Sequence, residues 1–225
     1  MTVLNFHLSD AAVYVVADTL ATNDTYKPAL FTTKVFPVPH WNGVICGTGC
    51  LGFILDWFQS ALGGMLATDL VHLDEFTPSA LRGIHARRGG NDSDDPTTTI
   101  YHFGLDGRDG LFKGFAYRST TGFESEPLIY GTYTKPYLNI REDGVWSFPQ
   151  DFVEFCKKQR DQQDLFPVED RVFIGGQIVA WMMERVEIDG VGTTVRTSIV
   201  PAYEFPDADA AMEACIDALP PQGEA

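Results

Sequence analysis

Residues 2–18 read Thr2-Val-Leu-Asn-Phe-His-Leu-Ser-Asp-Ala-Ala-Val-Tyr-Val-Val-Ala-Asp18, and this stretch decides the fold. Its two halves, 2–8 and 12–17, are rich in β-branched and aromatic residues and flank the turn Ser9-Asp10-Ala11. This pattern predicts two antiparallel strands that form a hairpin, with Asp18 where the second strand ends. We therefore expect the chain to build an antiparallel sheet around this hairpin.

The rest of the chain continues as strand pairs separated by blocks of helix. We predict a loop over 19–33, a polar loop over 87–96 and a short strand over 128–131. Strand pairs are predicted at 34–38 with 43–46, at 97–105 with 111–117, and at 172–188 with 193–200, where Gly175-Gly176 interrupts the long strand 172–188. Helical spacing predicts helices at 51–62, from 77, at 149–160, and from 207, the last with Met212, Cys215, Ile216 and Leu219 on one stripe. Helices in blocks, rather than one after each strand, favour an α+β fold of two antiparallel sheets with helices packed outside them.

Composition narrows the kind of protein. A chain of 225 residues fits a single domain, which we place at 1–219, followed by a flexible tail at 220–225. The formal net charge of −15 argues against nucleic-acid binding, which needs clustered basic residues. No apolar run is long enough to span a membrane, and there is no secretory signal, so the cytoplasm is the default location. The four cysteines show no zinc spacing, and we expect no metal and no cofactor.

Thr2 is the first candidate for chemistry. Methionine aminopeptidases commonly remove Met1 when a small residue follows, and Thr2 would then carry the free α-amine. An N-terminal threonine combines a hydroxyl nucleophile with its own base, because an α-amine has a pKa of about 8 and is partly neutral at pH 7. The sequence thus offers a nucleophile and a base on one residue.

Three further features supply the remaining parts of such a site. A lysine ammonium at Lys34 would lower the pKa of the α-amine, and Asp18 would orient that lysine. Gly47, Thr48 and Gly49 form a glycine-rich turn before a predicted helix, where backbone N–H groups could bind an oxyanion. Together, Thr2, Asp18, Lys34 and the 47–49 turn form the candidate catalytic site.

The spacing of these residues resembles proteasome β subunits and their bacterial relatives, which belong to the N-terminal-nucleophile hydrolases. In that family a leading Thr is followed sixteen residues later by Asp, in an Ala-Asp-Ser-Arg-Ala-Thr-like stretch, and after sixteen more by Lys. This chain has Ala17-Asp18-Thr19-Leu20-Ala21-Thr22 and Lys34, so both intervals are kept (18 − 2 = 16 and 34 − 18 = 16). Gly47-Thr48-Gly49 stands where the family has a Gly-Gly turn.

The later chain is also similar to that family. Gly175-Gly176, the strand after it and Asp189-Gly190 match a Ser-Gly-Gly, a strand and an Asp-Gly turn, and 97–117 matches the middle hairpin. The resemblance implies the four-layer αββα sandwich and a threonine hydrolase that cleaves amide bonds in a peptide or a small amide. It also implies self-association, often in rings. An unfoldase partner is possible, but the sequence does not identify one.

The chain departs from the family at the positions that support the nucleophile. Ile174 stands where the family has a serine, and Arg171 stands where it has an aspartate. Glu169 or Asp170 are the available replacements for that aspartate, and Thr132 or Ser125 are those for a second supporting serine. These departures keep a second hypothesis open, in which the chain is a catalytically inactive relative with a structural, assembly or binding role.

Overall fold

The chain folds into two five-stranded antiparallel sheets, which a computed structural model describes over residues 2–89, 97–140, 145–190 and 192–219. The first sheet has the strand order β10-β1-β2-β11-β12 and the second the order β5-β6-β7-β8-β9, while β3 and β4 form a separate hairpin. The strands are β1 Leu4–Leu8, β2 Ala12–Asp18, β3 Leu20–Thr22, β4 Pro28–Phe31, β5 Val35–Val38, β6 Gly43–Thr48, β7 Thr99–Leu105, β8 Phe112–Arg118, β9 Ser125–Pro127, β10 Gly131–Lys135, β11 Gln177–Ile188 and β12 Gly192–Glu204. The helices are α1 Leu51–Gly64, α2 Leu70–Asp74, α3 Thr77–Arg87, α4 Gln150–Gln163 and α5 Ala208–Asp217.

The two sheets face one another across the central core. Alternate residues of β1, such as Leu4, Phe6 and Leu8, point between the sheets and pack against Tyr101 and Phe103 of β7. This follows from the period of two in a strand, which sends every second side chain to the same face. The apolar face of β1 thus forms part of the core between the two sheets.

Helices cover the outer face of each sheet. On the second sheet, α1, α2 and α3 bury large apolar side chains, among them Trp57 of α1 and Leu81 of α3. On the first sheet, α4 buries Phe152 and Phe155 beside Val16 of β2. The molecule therefore has four layers in the order helix, sheet, sheet, helix, as the sequence predicted.

The predicted hairpin at the start of the chain is confirmed. Strand β1 pairs with β2 in antiparallel register, with Leu4 opposite Ala17 and Leu8 opposite Val13. Asp18 is the last residue of β2, and β2 also pairs with β11, which places Ile178 opposite Asp18. Because β2 is flanked on both sides by strands, Asp18 lies at the end of a central strand of the first sheet.

Several predicted elements were wrong or displaced. The predicted loop at 19–33 contains the β3–β4 hairpin. Of the predicted strand at 128–131, residues 128–130 lie between β9 and β10, and Gly131 is the first residue of β10. Strand β11 begins at Gln177 and not at residue 172, because Gly176 has φ +72° and interrupts the extended backbone. The stripe predicted on α5 is largely exposed, with only Cys215 buried among the four residues. Most of the predicted polar loop, 90–96, and the predicted tail 220–225 lie outside the described residues.

Candidate active site

The centre of the candidate site is a buried ion pair between Lys34 and Asp18. The Nζ atom of Lys34 lies 2.7 Å from Oδ1 of Asp18, and the two residues are 4% and 1% exposed. Lys34 Nζ also donates to the backbone oxygen of Leu20 at 2.5 Å. Burial raises the pKa of the Asp18 carboxyl and lowers the pKa of the Lys34 ammonium, while the attraction between the two groups opposes both shifts.

Two backbone amides hold the Asp18 carboxylate in place. The N–H of Val3 donates to Oδ1 at 3.2 Å, and the N–H of Gly175 donates to Oδ2 at 3.1 Å. With the ammonium of Lys34, these donors satisfy both carboxylate oxygens. A buried charge is tolerated when it is paired and hydrogen-bonded in this way.

The hydrogen bond from the Gly175 N–H to Asp18 depends on glycine at the next residue, Gly176. Its φ of +72° belongs to the left-handed region, and a Cβ at this position would come within 2.5 Å of the Phe31 ring and of Thr19 Oγ1. The turn at 175–176 can therefore approach the end of β2 only with glycine at residue 176. This explains the Gly-Gly pair that the sequence places directly before β11.

Thr2 is buried and lies two residues before the first residue of β1. Thr2 is 6% exposed, and Thr2 and Lys34 both line a cavity of about 650 Å³. The fold thus brings Thr2 and Lys34 to one cavity, with Asp18 behind the lysine.

The three residues of the predicted oxyanion turn occupy different environments. Gly47 and Thr48 are the last two residues of β6 and are not among the residues that line the cavity, whereas Gly49 lines it. Gly49 has φ +105°, and a Cβ there would meet the carbonyl oxygen of Thr97 at 2.5 Å. Within the described part of the chain, the buried hydroxyl of Thr48 has no hydrogen-bond partner.

The amino end of α1 extends this turn into the cavity. Leu51 and Gly52 line the cavity, and the first hydrogen bond of the helix runs from the N–H of Ile54 to the oxygen of Cys50. The N–H groups of Leu51, Gly52 and Phe53 precede that bond, so the helix itself does not satisfy them. The positive end of the helix dipole therefore faces the cavity and would stabilise a developing negative charge.

The cavity also has a wall that sequence reasoning missed. It is formed by the β3–β4 hairpin and by the segment before Gly175, and its residues are Ala21, Thr22, Asn23, Asp24, Tyr26, Glu169, Arg171 and Phe173. Short polar residues around Pro28 concealed the hairpin, and no local pattern links 20–31 to 169–173. The rings of Tyr26 and Phe173 stack with their centroids 6.2 Å apart.

The positions at which the chain departs from the proteasome pattern are occupied by groups with other contacts. Ile174 is a buried apolar residue. Arg171 donates to the carbonyl of Phe166 at 2.7 Å and pairs with the carboxylate of Asp164 at 3.3 Å. Glu169 lines the cavity and is thus the better placed of the two acidic alternatives, since Asp170 is not among the lining residues.

The two candidates for a second supporting serine are both engaged away from the cavity. The hydroxyl of Thr132 lies 2.9 Å from Nδ1 of His7, its cross-strand partner. The hydroxyl of Ser125, on β9, donates to Asp74 of α2 at 2.6 Å. Neither hydroxyl belongs to the wall that contains Thr2.

Neither a metal site nor a membrane helix is present in the part of the chain that the structure describes. Over 2–89, 97–140, 145–190 and 192–219, no group of three His, Cys, Asp or Glu side chains comes together as metal ligands would. No helix in these ranges combines the length and the apolar character that crossing a membrane requires.

The fold of this chain, two antiparallel sheets between layers of helices, is shared with solved structures of other proteins. Three solved structures share this architecture. Anbu (ancestral beta-subunit) from Yersinia bercovieri is similar with a TM-score of 0.59 and 11% sequence identity, over 100% of both chains. The helical assembly of the Anbu complex from Pseudomonas aeruginosa gives a TM-score of 0.60 and 14% identity, over 100% of this chain and 99% of the other.

The third structure is the Anbu (Gly-1) mutant from Hyphomicrobium sp. strain MC1, with a TM-score of 0.58 and 14% identity over 97% of this chain and 94% of the other. No known protein-family model matches the chain, and no curated protein is similar to it in sequence. At these identities the likeness to the Anbu proteins is a likeness of fold.

Proposed function

We propose that this protein is a proteasome-like threonine hydrolase that cleaves amide bonds through Thr2 after Met1 is removed. The observation that carries the proposal is the buried Lys34–Asp18 pair at 2.7 Å, which borders the cavity that Thr2 lines. In this role Thr2 Oγ attacks the substrate carbonyl, and its own α-amine accepts the hydroxyl proton. Lys34 lowers the pKa of that amine by its charge, and Asp18 holds Lys34 in position.

The developing oxyanion would be stabilised at the amino end of α1. Gly49, Leu51 and Gly52 line the cavity, and the first-turn amides of α1 have no partner within the helix. Attack forms an ester between Thr2 and the acyl group and releases the amine product. Water then hydrolyses the ester and returns Thr2 to its free form.

The cost of the ion pair supports a chemical role for it. Replacing a buried ion pair by apolar residues of similar size is often neutral or stabilises a protein by about 1–4 kcal/mol. Stability alone therefore gives no reason to keep a lysine and an aspartate that are 4% and 1% exposed. A requirement for a charged lysine beside a nucleophile does give such a reason.

The substrate and setting extend the same proposal. The residues suit a peptide bond and a small-molecule amide equally, and we propose a peptidase or amidase without a cofactor. The described helical assembly of a structurally similar Anbu complex supports a homo-oligomer. We place the protein in the cytoplasm, as one domain over 1–219 followed by a flexible tail at 220–225, and assign no unfoldase partner.

A second function is favoured by the departures in the supporting residues. The side chain of Ile174 can neither donate nor accept a proton. Arg171 forms an ion pair with Asp164 and a hydrogen bond to the carbonyl of Phe166. A catalytically inactive relative with a structural, assembly or binding role would tolerate both changes. The two functions differ in whether the α-amine of Thr2 becomes free.

Intact-mass measurement and active-site labelling test the proposal. Protein isolated from its native host should lack the mass of Met1, and a β-lactone should add its mass once per chain. Thr2→Ala should abolish labelling, whereas Thr2→Ser should retain it. Thr97→Ala is a matched control, because Thr97 lines the same cavity and should leave labelling unchanged.

Two outcomes would contradict the proposal. Retention of Met1 in the native host removes the free amine and favours the inactive relative. Labelling that survives Thr2→Ala would assign the nucleophile to another residue.

A further inference from the structure

We propose that the cavity selects substrates with a cationic side chain, which lies against the Tyr26 ring of the stacked Tyr26–Phe173 pair, close to the carboxylates of Asp24 and Glu169. All four residues line the cavity that also contains Thr2. The inference rests on the proposed function, since it describes which amide substrates the site takes. Its first support is the balance of charge around the cavity.

The basic residues at the cavity are each matched by a carboxylate. Lys34 is paired with Asp18, and Arg171 with Asp164. Arg88, whose guanidinium packs over the cavity residue Gly52, is paired with Asp56 at 2.6 Å. These three pairs leave little net charge at the cavity.

Two carboxylates remain in excess. Asp24 and Glu169 are exposed, line the cavity, and take part in no salt bridge among the described residues. Lys27, the cation in the same loop as Asp24, is not among the residues that line the cavity. The cavity therefore carries an excess of negative charge, which attracts cations and repels acidic substrates.

The aromatic pair adds a surface suited to a cation. The Tyr26 and Phe173 rings are nearly parallel, with an interplanar angle of 17°. Phe173 already has the Cζ atom of Arg171 5.8 Å from its centroid, so the segment places a guanidinium over this ring. Tyr26 is 40% exposed and offers its ring to a second cation, because the face of an aromatic ring attracts positive charge.

The loop that carries Tyr26 is held rigidly by Asn23. The side-chain oxygen of Asn23 accepts hydrogen bonds from both the N–H and the hydroxyl of Thr25, at 3.0 and 2.8 Å. It also accepts one from the N–H of Lys27 at 3.0 Å. The backbone N–H of Tyr26 donates to the carbonyl of Asn23 at 3.0 Å. These bonds order the backbone that carries Tyr26, and its ring also stacks on Phe173, so less entropy is lost when a ligand binds there.

Binding of two labelled peptides to the full chain carrying Thr2→Ala tests the inference without turnover. The peptides have the same length and differ only in lysine or glutamate at two positions, and fluorescence anisotropy measures their dissociation constants. The lysine peptide should bind more tightly, and raising the salt concentration should weaken its binding. Asp24→Asn with Glu169→Gln should weaken it by about three- to tenfold, as expected for two exposed ionic contacts.

Two variants separate charge from the aromatic surface. Tyr26→Asn keeps a residue that tolerates the φ of +62° and removes the ring, and it should also weaken binding of the lysine peptide. Asp10→Asn with Asp189→Asn removes the same amount of charge from the turns that follow the last residues of β1 and β11, whereas the cavity residues Thr2 and Phe173 precede these strands. This control should leave binding unchanged. A glutamate peptide that binds as tightly as the lysine peptide, or a preference that survives Asp24→Asn with Glu169→Gln, would overturn the inference.

The inference and the proposed function fail in different ways. Wild-type protein that binds the lysine peptide with the expected preference but never cleaves an amide would retain the inference and reject the hydrolase. Cleavage of lysine and glutamate peptides at equal rates, with equal affinities, would retain the hydrolase and reject the inference.

Discussion

Replacing Lys34 by methionine should destabilise the protein strongly, because it leaves the Asp18 carboxylate buried without its cation. Asp18 is 1% exposed and would keep the N–H donors of Val3 and Gly175 but lose the Nζ donor at 2.7 Å. Breaking a buried pair in this way costs about 3–5 kcal/mol. Against a total stability of about 5–15 kcal/mol, this is a large fraction.

The size of the change can be measured by thermal and urea unfolding. For a chain of this length about 3–5 kcal/mol corresponds to a fall in Tm of about 6–20 °C. Lys158→Met is the matched control, because Lys158 is exposed on α4 and should change Tm little. The double variant Lys34→Met with Asp18→Leu should recover part of the loss, since no unpaired charge is then buried, while the N–H groups of Val3 and Gly175 lose their acceptor.

The pH dependence of Lys34→Met has a definite sign. Burial already raises the pKa of Asp18, and removing the ammonium of Lys34 takes away the main opposing effect, so the pKa rises further. A folded-state pKa above the unfolded value means that the folded protein binds the proton more tightly. The stability deficit is therefore full above the folded-state pKa and shrinks as pH falls through it. A loss below about 1 kcal/mol at pH 7, or a deficit that grows on acidification, would refute the reasoning about the pair.

Two further substitutions test the local geometry. Thr48→Val should leave the free energy of unfolding in urea unchanged or raise it by up to about 1 kcal/mol. The buried Thr48 hydroxyl has no hydrogen-bond partner among the described residues, and valine has nearly the same shape. A clear loss of stability would mean that the hydroxyl is satisfied, for example by water. Gly176→Ala should destabilise the protein by about 2–4 kcal/mol. A φ of +72° costs alanine about 1–2 kcal/mol of backbone strain, and its Cβ would also lie 2.5 Å from the Phe31 ring. Gly190→Ala, at φ +77° and with no atom within 4 Å of its Cβ, should show the backbone strain alone. Equal losses at the two glycines would contradict the contact with Phe31.

The layered fold was predictable because its signals are local. Alternation in 2–8 and the apolar run at 12–17, on either side of a short turn, predicted the first hairpin. The change to helical spacing after Gly49 predicted α1. The β3–β4 hairpin was missed because its strands have three and four residues, too few to establish a period. Short strands of this kind are fixed by their tertiary neighbours.

The candidate site was predictable in part. The intervals between Thr2, Asp18 and Lys34 suggested a common site. In the fold, Lys34 lies 2.7 Å from Asp18, and Thr2 and Lys34 line one cavity. The contact from Gly175 to Asp18 spans 157 positions and leaves no trace in local sequence. Whether Thr48 lines the cavity could not be predicted from the sequence either, because this depends on the residue at which β6 ends. Only Gly49 of the predicted turn reaches the cavity wall.

The choice between an active hydrolase and an inactive relative depends on what Ile174 removes and what it leaves. The backbone of the next residue, Gly175, still binds Asp18 at 3.1 Å, so the isoleucine removes a side-chain hydroxyl and keeps the support of the carboxylate. A chain that served assembly alone would gain from apolar residues at 18 and 34, because the buried pair costs desolvation without improving packing. Instead, Val3, Gly175 and Leu20 are all arranged to satisfy that pair. We therefore infer that the charge of Lys34 is needed beside Thr2, and that any proton transfer which a serine at 174 would have assisted must pass through the α-amine, water or Glu169 at the cavity wall.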